Sequence, residues 1–326
     1  MLQPTLILDT TYNCNFACKF CSIAHKQRMQ PMTSKQVIKY IEQYKPGSIE
    51  FFGGEPLLMP TSFYEDIISY IEKNALDIEL LMTSNLIPFY KNPSKWKDIL
   101  SKMDVCTSFQ LDDTRCFKDG SAYTLEDYIK VFDLYKKTFN KLLVFLSVIS
   151  KENLSVVDKL IALAKQLNTK VKLLRYIDSF SIENSFQFFK YFSLLIQLIV
   201  NQDNKYEISS NQLLKAIHGQ TTSCPFFTCK DAFKCIAPNG QVSTCSWYHH
   251  SASQKKYNAK LEADIMLDAP VIANTKCCQC ECFQFCNSCA IVRREIFALS
   301  KKDQEIHCDV MRKSYHEYCE FAASRY

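Results

Sequence analysis

The run Leu6-Ile7-Leu8-Asp9-Thr10-Thr11-Tyr12-Asn13-Cys14-Asn15-Phe16-Ala17-Cys18-Lys19-Phe20-Cys21 is the most informative segment of this chain. Leu6-Ile7-Leu8 reads as a short strand. Three cysteines follow it at intervals of four and three residues. Three thiolates on one loop can wrap a small inorganic cluster, satisfying three irons of a four-iron, four-sulfur cube and leaving the fourth open. Structural zinc fits less well, because it takes four ligands, commonly with a paired C-x2-C knuckle. An electron-transfer cluster likewise takes four cysteines. An open iron at the end of a strand is a place to bind and reduce something.

The residues that follow alternate between strand and helix patterns. Ser34 is expected to cap a helix whose Val37, Ile38, Ile41 and Tyr44 recur at helical spacing. Next come a strand at 48–52, a helix at 63–71, a strand at 78–82, a helix at 95–103 and a strand at 105–109. Thr124 with Asp127 opens a helix carrying Leu125, Tyr128, Ile129, Phe132 and Tyr135. A strand at 142–148 follows, then a helix capped by Asn153 that carries Val157, Leu160, Ile161, Ala164 and Leu167, then a strand at 171–175. Six β/α units in series imply a parallel sheet with right-handed crossovers. Six rather than eight implies a partial (β/α)6 TIM-like barrel, with functional loops at the C-terminal ends of its strands. An aromatic stripe, Phe186, Phe189, Tyr191 and Phe192, reads as core packing. The expected class is therefore α/β, the barrel being followed by a small cysteine-rich domain.

Composition narrows the function. A chain of 326 residues with 47% hydrophobic and 22% charged residues can bury a sizeable core, which excludes intrinsic disorder. No apolar run approaches the roughly 18–20 residues of a membrane span. Leu194 to Val200 is short and interrupted by Gln197. Met1-Leu2-Gln3-Pro4 lacks the basic and apolar regions of a signal peptide, so the expectation is a cytoplasmic protein without a membrane partner. The 17 cysteines then favour metal over disulfides, which belong to oxidising compartments. The net charge of +5 is spread along the chain without a Lys/Arg cluster, so no nucleic-acid partner is expected. From Ser223 onward cysteines crowd the sequence and helical periodicity fades until 291–299. The expected division is 1–180 as barrel, 181–222 as a helical connection, 223–310 as a metal-held domain and 311–326 as a tail.

The C-x3-C-x2-C spacing, with aromatic Phe20 before the last cysteine, resembles the signature of the radical S-adenosylmethionine (SAM) enzymes. After the second strand, Phe52-Gly53-Gly54-Glu55-Pro56 looks like that family's GGEP motif. Glycine is scarce here, six in the whole chain, yet two are adjacent in this loop, as a close backbone approach to a ligand would require. The resemblance implies that Cys14, Cys18 and Cys21 hold a [4Fe-4S] cluster whose open iron chelates SAM. Its reduction would release a 5′-deoxyadenosyl radical that abstracts substrate hydrogen. SAM contacts are implied for Phe20, Gly53, Gly54, Glu55, Thr83 and Asn85 of Thr83-Ser84-Asn85, and Ser108 and Gln110 of Ser108-Phe109-Gln110-Leu111-Asp112. An external one-electron reductant of flavodoxin or ferredoxin type is implied as a partner.

The C-terminal spacing, Cys229, Cys235, Gly240-x4-Cys245, Cys277-x2-Cys280-x5-Cys286-x2-Cys289 and Cys308, resembles the SPASM domain of radical SAM peptide maturases. Carried over, one auxiliary [4Fe-4S] cluster would use Cys229, Cys235, Cys245 and Cys289, and the other Cys277, Cys280, Cys286 and Cys308. The penultimate spacing is x2 rather than x3, and Cys224, Cys278, Cys282 and Cys319 are surplus. Two zinc sites are the alternative for the knuckles. Relatives that form formylglycine carry Asp after the G-x4-C cysteine, whereas Ser246 stands there, so that chemistry is disfavoured. Asp112, Tyr248 and His249 are candidate proton-transfer groups, each also readable as an ordinary polar residue.

The resemblance implies oxidative modification of a peptide, as a cross-link, a thioether or a side-chain oxidation. The alternatives are a dehydrogenase or rearranging enzyme acting on a small molecule, and a non-catalytic iron–sulfur electron carrier. Thirteen residues before Cys14 are too few for a leader-binding domain. That implies a separate leader-binding partner, a leaderless substrate or a non-peptide one.

Overall fold

Along β1 (Thr5–Thr11), alternate residues Leu6 and Leu8 are fully buried. Their register continues sideways to Ile49 and Phe51 of β2 (Ser48–Gly53), and on to Leu80 and Met82 of β3 (Glu79–Ser84). It reaches Val105 in β4 (Asp104–Ser108). This face packs on helices; the other carries Glu50, Thr83, Cys106 and Ser108 and stays half-buried. Because side chains alternate with period two, one apolar face and one mixed face, where Ile7 and Leu81 share the register of Glu50, follow directly from the sequence. The computed structural model describes residues 3–21, 23, 29–150, 152–176, 191, 193–217, 232–243, 279–282 and 300–324.

The chain divides into two units. The first comprises Met1–Ser147, Gln166–Thr169 and Lys230–His250. Its strands lie in the order β5-β4-β3-β2-β1-β7-β8, where β5 is Val144–Ile149, β7 is Phe233–Ile236 and β8 is Val242–Ser243. All pairings are parallel except β7 with β8. The helices α1 (Ser34–Tyr44), α2 (Thr61–Lys73), α3 (Ile87–Lys91), α4 (Pro93–Ser101) and α5 (Leu125–Phe139) connect successive strands. Aromatic edges fill the space beneath: Phe51 meets Tyr64 at 5.2 Å, Tyr64 meets Trp96 at 6.1 Å, and Tyr128 stacks on Phe109 at 4.4 Å between centroids.

The second unit comprises Val148–Lys165, Lys170–Cys229 and Ser251–Tyr326. It holds α6 (Val157–Gln166), β6 (Val171–Arg175), α7 (Ile208–Ile217) and α8 (Lys301–Ala323). In it, Glu207 is completely buried. Its carboxylate accepts hydrogen bonds from the backbone N–H of Leu173 at 2.9 Å and Ser209 at 2.8 Å, and from that of Ser210. One side chain thus caps α7 and fastens β6.

Six strands alternate with helices through β6, as the α/β partial-barrel reading expects. The divisions differ in two places. β7 pairs with β1 and so returns residues near 235 to the first unit instead of leaving the barrel complete by residue 180. Lys301–Ala323 is one helix, so no break falls at 310. Thr33 rather than Ser34 caps α1, through a reciprocal capping box with Gln36. Asn153 does not cap a helix. Its side chain accepts from Ser150 N at 2.7 Å and donates to Val148 O at 3.0 Å, holding the turn that leaves β5. The aromatic stripe at 186–192, apart from Tyr191, and the periodicity at 291–299 lie outside the described residues. Among the described residues no helix is long and apolar enough to cross a membrane.

Replacing Glu207 by Ala strands two buried N–H donors and one part-buried one, and is expected to destabilise the second unit by about 2 kcal/mol. Hydrogen exchange at Leu173 and Ser210 should accelerate in step with the loss read from denaturant unfolding.

Candidate functional site

The loops leaving β1, β2, β3 and β4 meet at the C-terminal ends of the strands. Cys14, Cys18 and Cys21 occupy the first of these loops, Cys18 buried and the other two half-buried. Local bonds shape it: Asn13 N donates to Thr11 Oγ1 at 3.0 Å, Phe16 N to Cys14 Sγ at 3.4 Å, and Cys21 N to Cys18 O at 3.1 Å.

The β2 loop is pressed against it. Gly54 N donates to Thr11 O at 2.7 Å and Glu55 N to Asn13 O at 2.9 Å. A Cβ on Gly53 would lie 2.5 Å from Thr11 O, and one on Gly54 2.3 Å from Asn13 O. Gly53 also has φ +118, which L side chains rarely adopt. The close approach that requires two glycines is therefore to the cysteine loop's own backbone.

Glu55 points inward, 1% exposed. Its carboxylate accepts from Leu57 N at 2.9 Å, Ser84 Oγ at 2.7 Å and Asn85 N at 2.8 Å. Burial raises its pKa above the usual carboxylate range, and those three donors oppose the rise. Asn85 in turn exchanges two side-chain hydrogen bonds with Asn15, its Nδ2 donating at 2.7 Å and its Oδ1 accepting at 3.3 Å. A continuous polar chain so runs from the β2 exit through the β3 exit to the residue beside Cys14.

The loop after β4 completes the enclosure. Ala17 N donates to Cys116 O and Lys19 N to Thr114 O, both at 2.8 Å, and the Cys116 thiol donates to Ala17 O at 2.9 Å. Phe16 bridges Phe117, and Cys116 bridges Ala122. Residues 114–123 therefore clasp the cysteine loop as a small hairpin. Arg115, 7% exposed, lies within it, its guanidinium 5.6 Å from the Phe16 ring and 5.5 Å from the Phe20 ring. Sequence reading missed this residue. The only local signal is the turn chemistry of Asp112-Asp113-Thr114, which marks a bend without showing what it packs on.

The remaining candidates separate by environment. Thr83 faces away from the Ser84–Asn85 network; its hydroxyl donates to Glu50 at 3.1 Å and lies 3.1 Å from the Cys106 thiol. Ser108 is half-buried at the end of β4. Gln110 is buried and accepts from Ser147 at 2.6 Å. Asp112 accepts from both the N–H and hydroxyl of Thr114, a turn-forming arrangement. Cys235 is buried on β7, beside Ile7 of β1. In the second unit, Cys280, Cys282 and Cys308 all lie within electrostatic reach of Arg312, and the Cys282 thiol is hydrogen-bonded to Cys280. The surplus Cys319 is hydrogen-bonded to the Tyr315 side chain. Cys224, Cys229, Cys245, Cys277, Cys278, Cys286, Cys289, Tyr248 and His249 lie outside the described residues.

The donor set of the first loop suits an iron–sulfur cluster: three thiols on one segment, close enough that Cys18 and Cys21 both act electrostatically on Cys14. Among the described residues no three Cys, His, Asp or Glu side chains are gathered tightly enough to hold a single ion. Burial, helped by the charges of Glu55, Cys18 and Cys21, pushes the Cys14 thiol up to about 12, while the Phe16 N–H opposes it. Burial also raises Cys18, and the positive charge of Arg115 opposes that rise. Cys14 and Cys18 therefore favour the neutral thiol in the absence of metal, and metal binding must release their protons.

Residues 8–164 match the Radical SAM superfamily. Among solved structures, anSMEcpe with bound AdoMet and Cp18Cys peptide is similar with TM-score 0.67 and 19% identity, over 99% of this chain and 98% of that one. Streptococcus suis SuiB bound to S-adenosylmethionine is similar with TM-score 0.57 and 14% identity, over 93% and 76%. The same protein bound to precursor peptide SuiA gives 0.53 and 15%, over 88% and 71%. At these identities the likeness is one of fold. No curated protein matches the sequence.

Two outcomes are expected. Gly54→Ala should cost about 1–3 kcal/mol by overpacking and reduce iron uptake by the first loop, measured by thermal unfolding and iron per chain. Because the folded Cys14 pKa lies above its ordinary 9.0, its contribution to metal-free stability is present below pH 9 and is lost as pH rises towards 12. The melting temperature of the metal-free protein should accordingly fall across that interval less steeply in Cys14→Ser.

Proposed function

We propose, from the premise that residues 8–164 carry a radical SAM domain, that this chain cleaves SAM reductively and uses the resulting radical to modify a peptide oxidatively. The observation that carries the reading is the cysteine loop at the C-terminal end of β1, gripped by the β2 loop and by the hairpin after β4. When bound there, a [4Fe-4S] cluster with one open iron supplies one-electron cleavage of the SAM sulfonium.

Cys14, Cys18 and Cys21 would hold that cluster. The backbone of Gly53-Gly54, together with Phe20, Glu55, Thr83, Asn85, Ser108 and Gln110, would border SAM. Within this set, Glu55 acts by position, since its carboxylate is occupied by Leu57, Ser84 and Asn85. The half-buried polar row of Glu50, Thr83 and Cys106, on the sheet face opposite the helices, offers a lining for substrate. The eight C-terminal cysteines named from their spacing would hold two auxiliary [4Fe-4S] clusters, able to take an electron from a substrate radical. Support for a peptide substrate comes from the two structural neighbours, one solved with Cp18Cys peptide and the other with precursor peptide SuiA. An external one-electron reductant completes the cycle, and a separate leader-binding protein would deliver a leader-bearing substrate.

Anaerobic reconstitution should yield about twelve irons per chain, four for each cluster. Dithionite with SAM should release 5′-deoxyadenosine. Replacing Cys14, Cys18 and Cys21 together by Ala should abolish that release and remove about four irons while the auxiliary iron stays. Release that survives the triple change would overturn the assignment. Hydrogen transfer from a small alcohol, with none from peptides, would overturn the substrate class.

A further inference from the structure

Arg115 is a buried cation whose nearby carboxylate, Glu55, feels its charge but is already occupied by Leu57, Ser84 and Asn85. It makes no ion pair among the described residues, and its Nε has no hydrogen-bond partner. Its guanidinium rests over two rings, Phe16 at 5.6 Å and Phe20 at 5.5 Å, which flank Cys18 in the cysteine loop. Flanking backbone bonds, Lys19 N to Thr114 O and Ala17 N to Cys116 O, fix the position of Arg115 relative to that loop. Its carbonyl accepts from Tyr123 N at 2.9 Å, which closes the hairpin. An arginine stays protonated in a protein, so burial cannot be relieved by losing the proton. A buried charge without a hydrogen-bonded ion pair is costly, and this one is held against the loop that would carry an anionic cluster.

We propose that Arg115 is a positioning residue for the cluster on Cys14, Cys18 and Cys21, its fixed positive charge stabilising the reduced form and so raising the cluster's reduction potential. The inference rests on the function proposed above. Three thiolates around a four-iron cube carry about one net negative charge when oxidised and about two after taking one electron from an external one-electron reductant. No bond forms or breaks in that step, and the added charge stays on the cube. In a site screened from water, the doubly negative reduced form gains about twice as much from a nearby cation as the singly negative oxidised form. The two aromatic faces hold the guanidinium in place through their negative quadrupoles without neutralising it.

The test is an EPR-monitored redox titration of reconstituted full-length protein. It follows the signal that SAM perturbs and that the triple Cys→Ala protein lacks. Arg115→Gln should lower the equilibrium constant for one-electron reduction at least tenfold, about 59 mV at one electron. Arg115→Lys, which keeps the charge, should recover most of it. A cluster that assembles in Arg115→Gln and titrates as the unaltered protein does would overturn the inference, as would equal shifts in the Gln and Lys proteins. Should Arg115→Gln assemble no cluster, its recovery in Arg115→Lys would support the need for charge, and loss in both would assign Arg115 to packing alone. An unchanged potential with weaker SAM binding would make Arg115 a ligand for the SAM carboxylate and overturn this account. If the unaltered protein takes up no iron at Cys14, Cys18 and Cys21, the proposed function falls as well; a cluster with an unmoved potential removes only the role of Arg115.

Discussion

A carboxylate with almost no access to water organises the end of the sheet. Glu55 takes hydrogen bonds from Leu57, Ser84 and Asn85, and Asn85 passes the constraint to Asn15 beside the first cysteine. Each bond alone is modest, but a buried carboxylate left short of donors is costly, so the three loops are held in one arrangement or the site does not form. Rigidity of this kind is what a cluster with an open iron requires, because the remaining ligands must not swing in to fill the vacant corner.

The paired glycines serve the same constraint from the other side. They let the β2 exit approach within bonding distance of Thr11 and Asn13, where any Cβ would collide with carbonyl oxygen. The hairpin after β4 then covers the loop with Phe117 and Tyr123, whose rings meet Phe16 of the loop at 4.8 and 5.1 Å and each other at 5.8 Å. Polar bonds set the geometry and aromatic packing excludes water, so the two contributions are complementary.

Much of this was legible in the chain. The strands were announced by their apolar alternation and the α5 cap by Thr124 and Asp127, and both signals are local. Gly53 and Gly54 were legible as a close approach, though what they approach is the chain's own Thr11 and Asn13 rather than a ligand alone. The cap falls at Thr33, one residue before the expected Ser34, because both are good caps and only Gln36, three after Thr33, distinguishes them. Asn153 misled because the same amide that caps helices can bridge a strand exit. Arg115 was invisible for a different reason. Nothing within its own neighbourhood records that Phe16 and Phe20, nearly a hundred positions earlier, will provide its surroundings. The partnership of β7 with β1 is equally remote in sequence.

That last pairing bears on biosynthesis. β1 is made long before β7, so one of its edges waits for Phe233–Ile236. Until that segment leaves the ribosome, Leu6 and Leu8 belong to a strand with an open row of amides, able to recruit a stray chain. Shortening the gene product just after the sixth strand would make this transient exposure permanent. A nascent chain of this design therefore depends on chaperones or rapid elongation more than a barrel whose strands are finished in order.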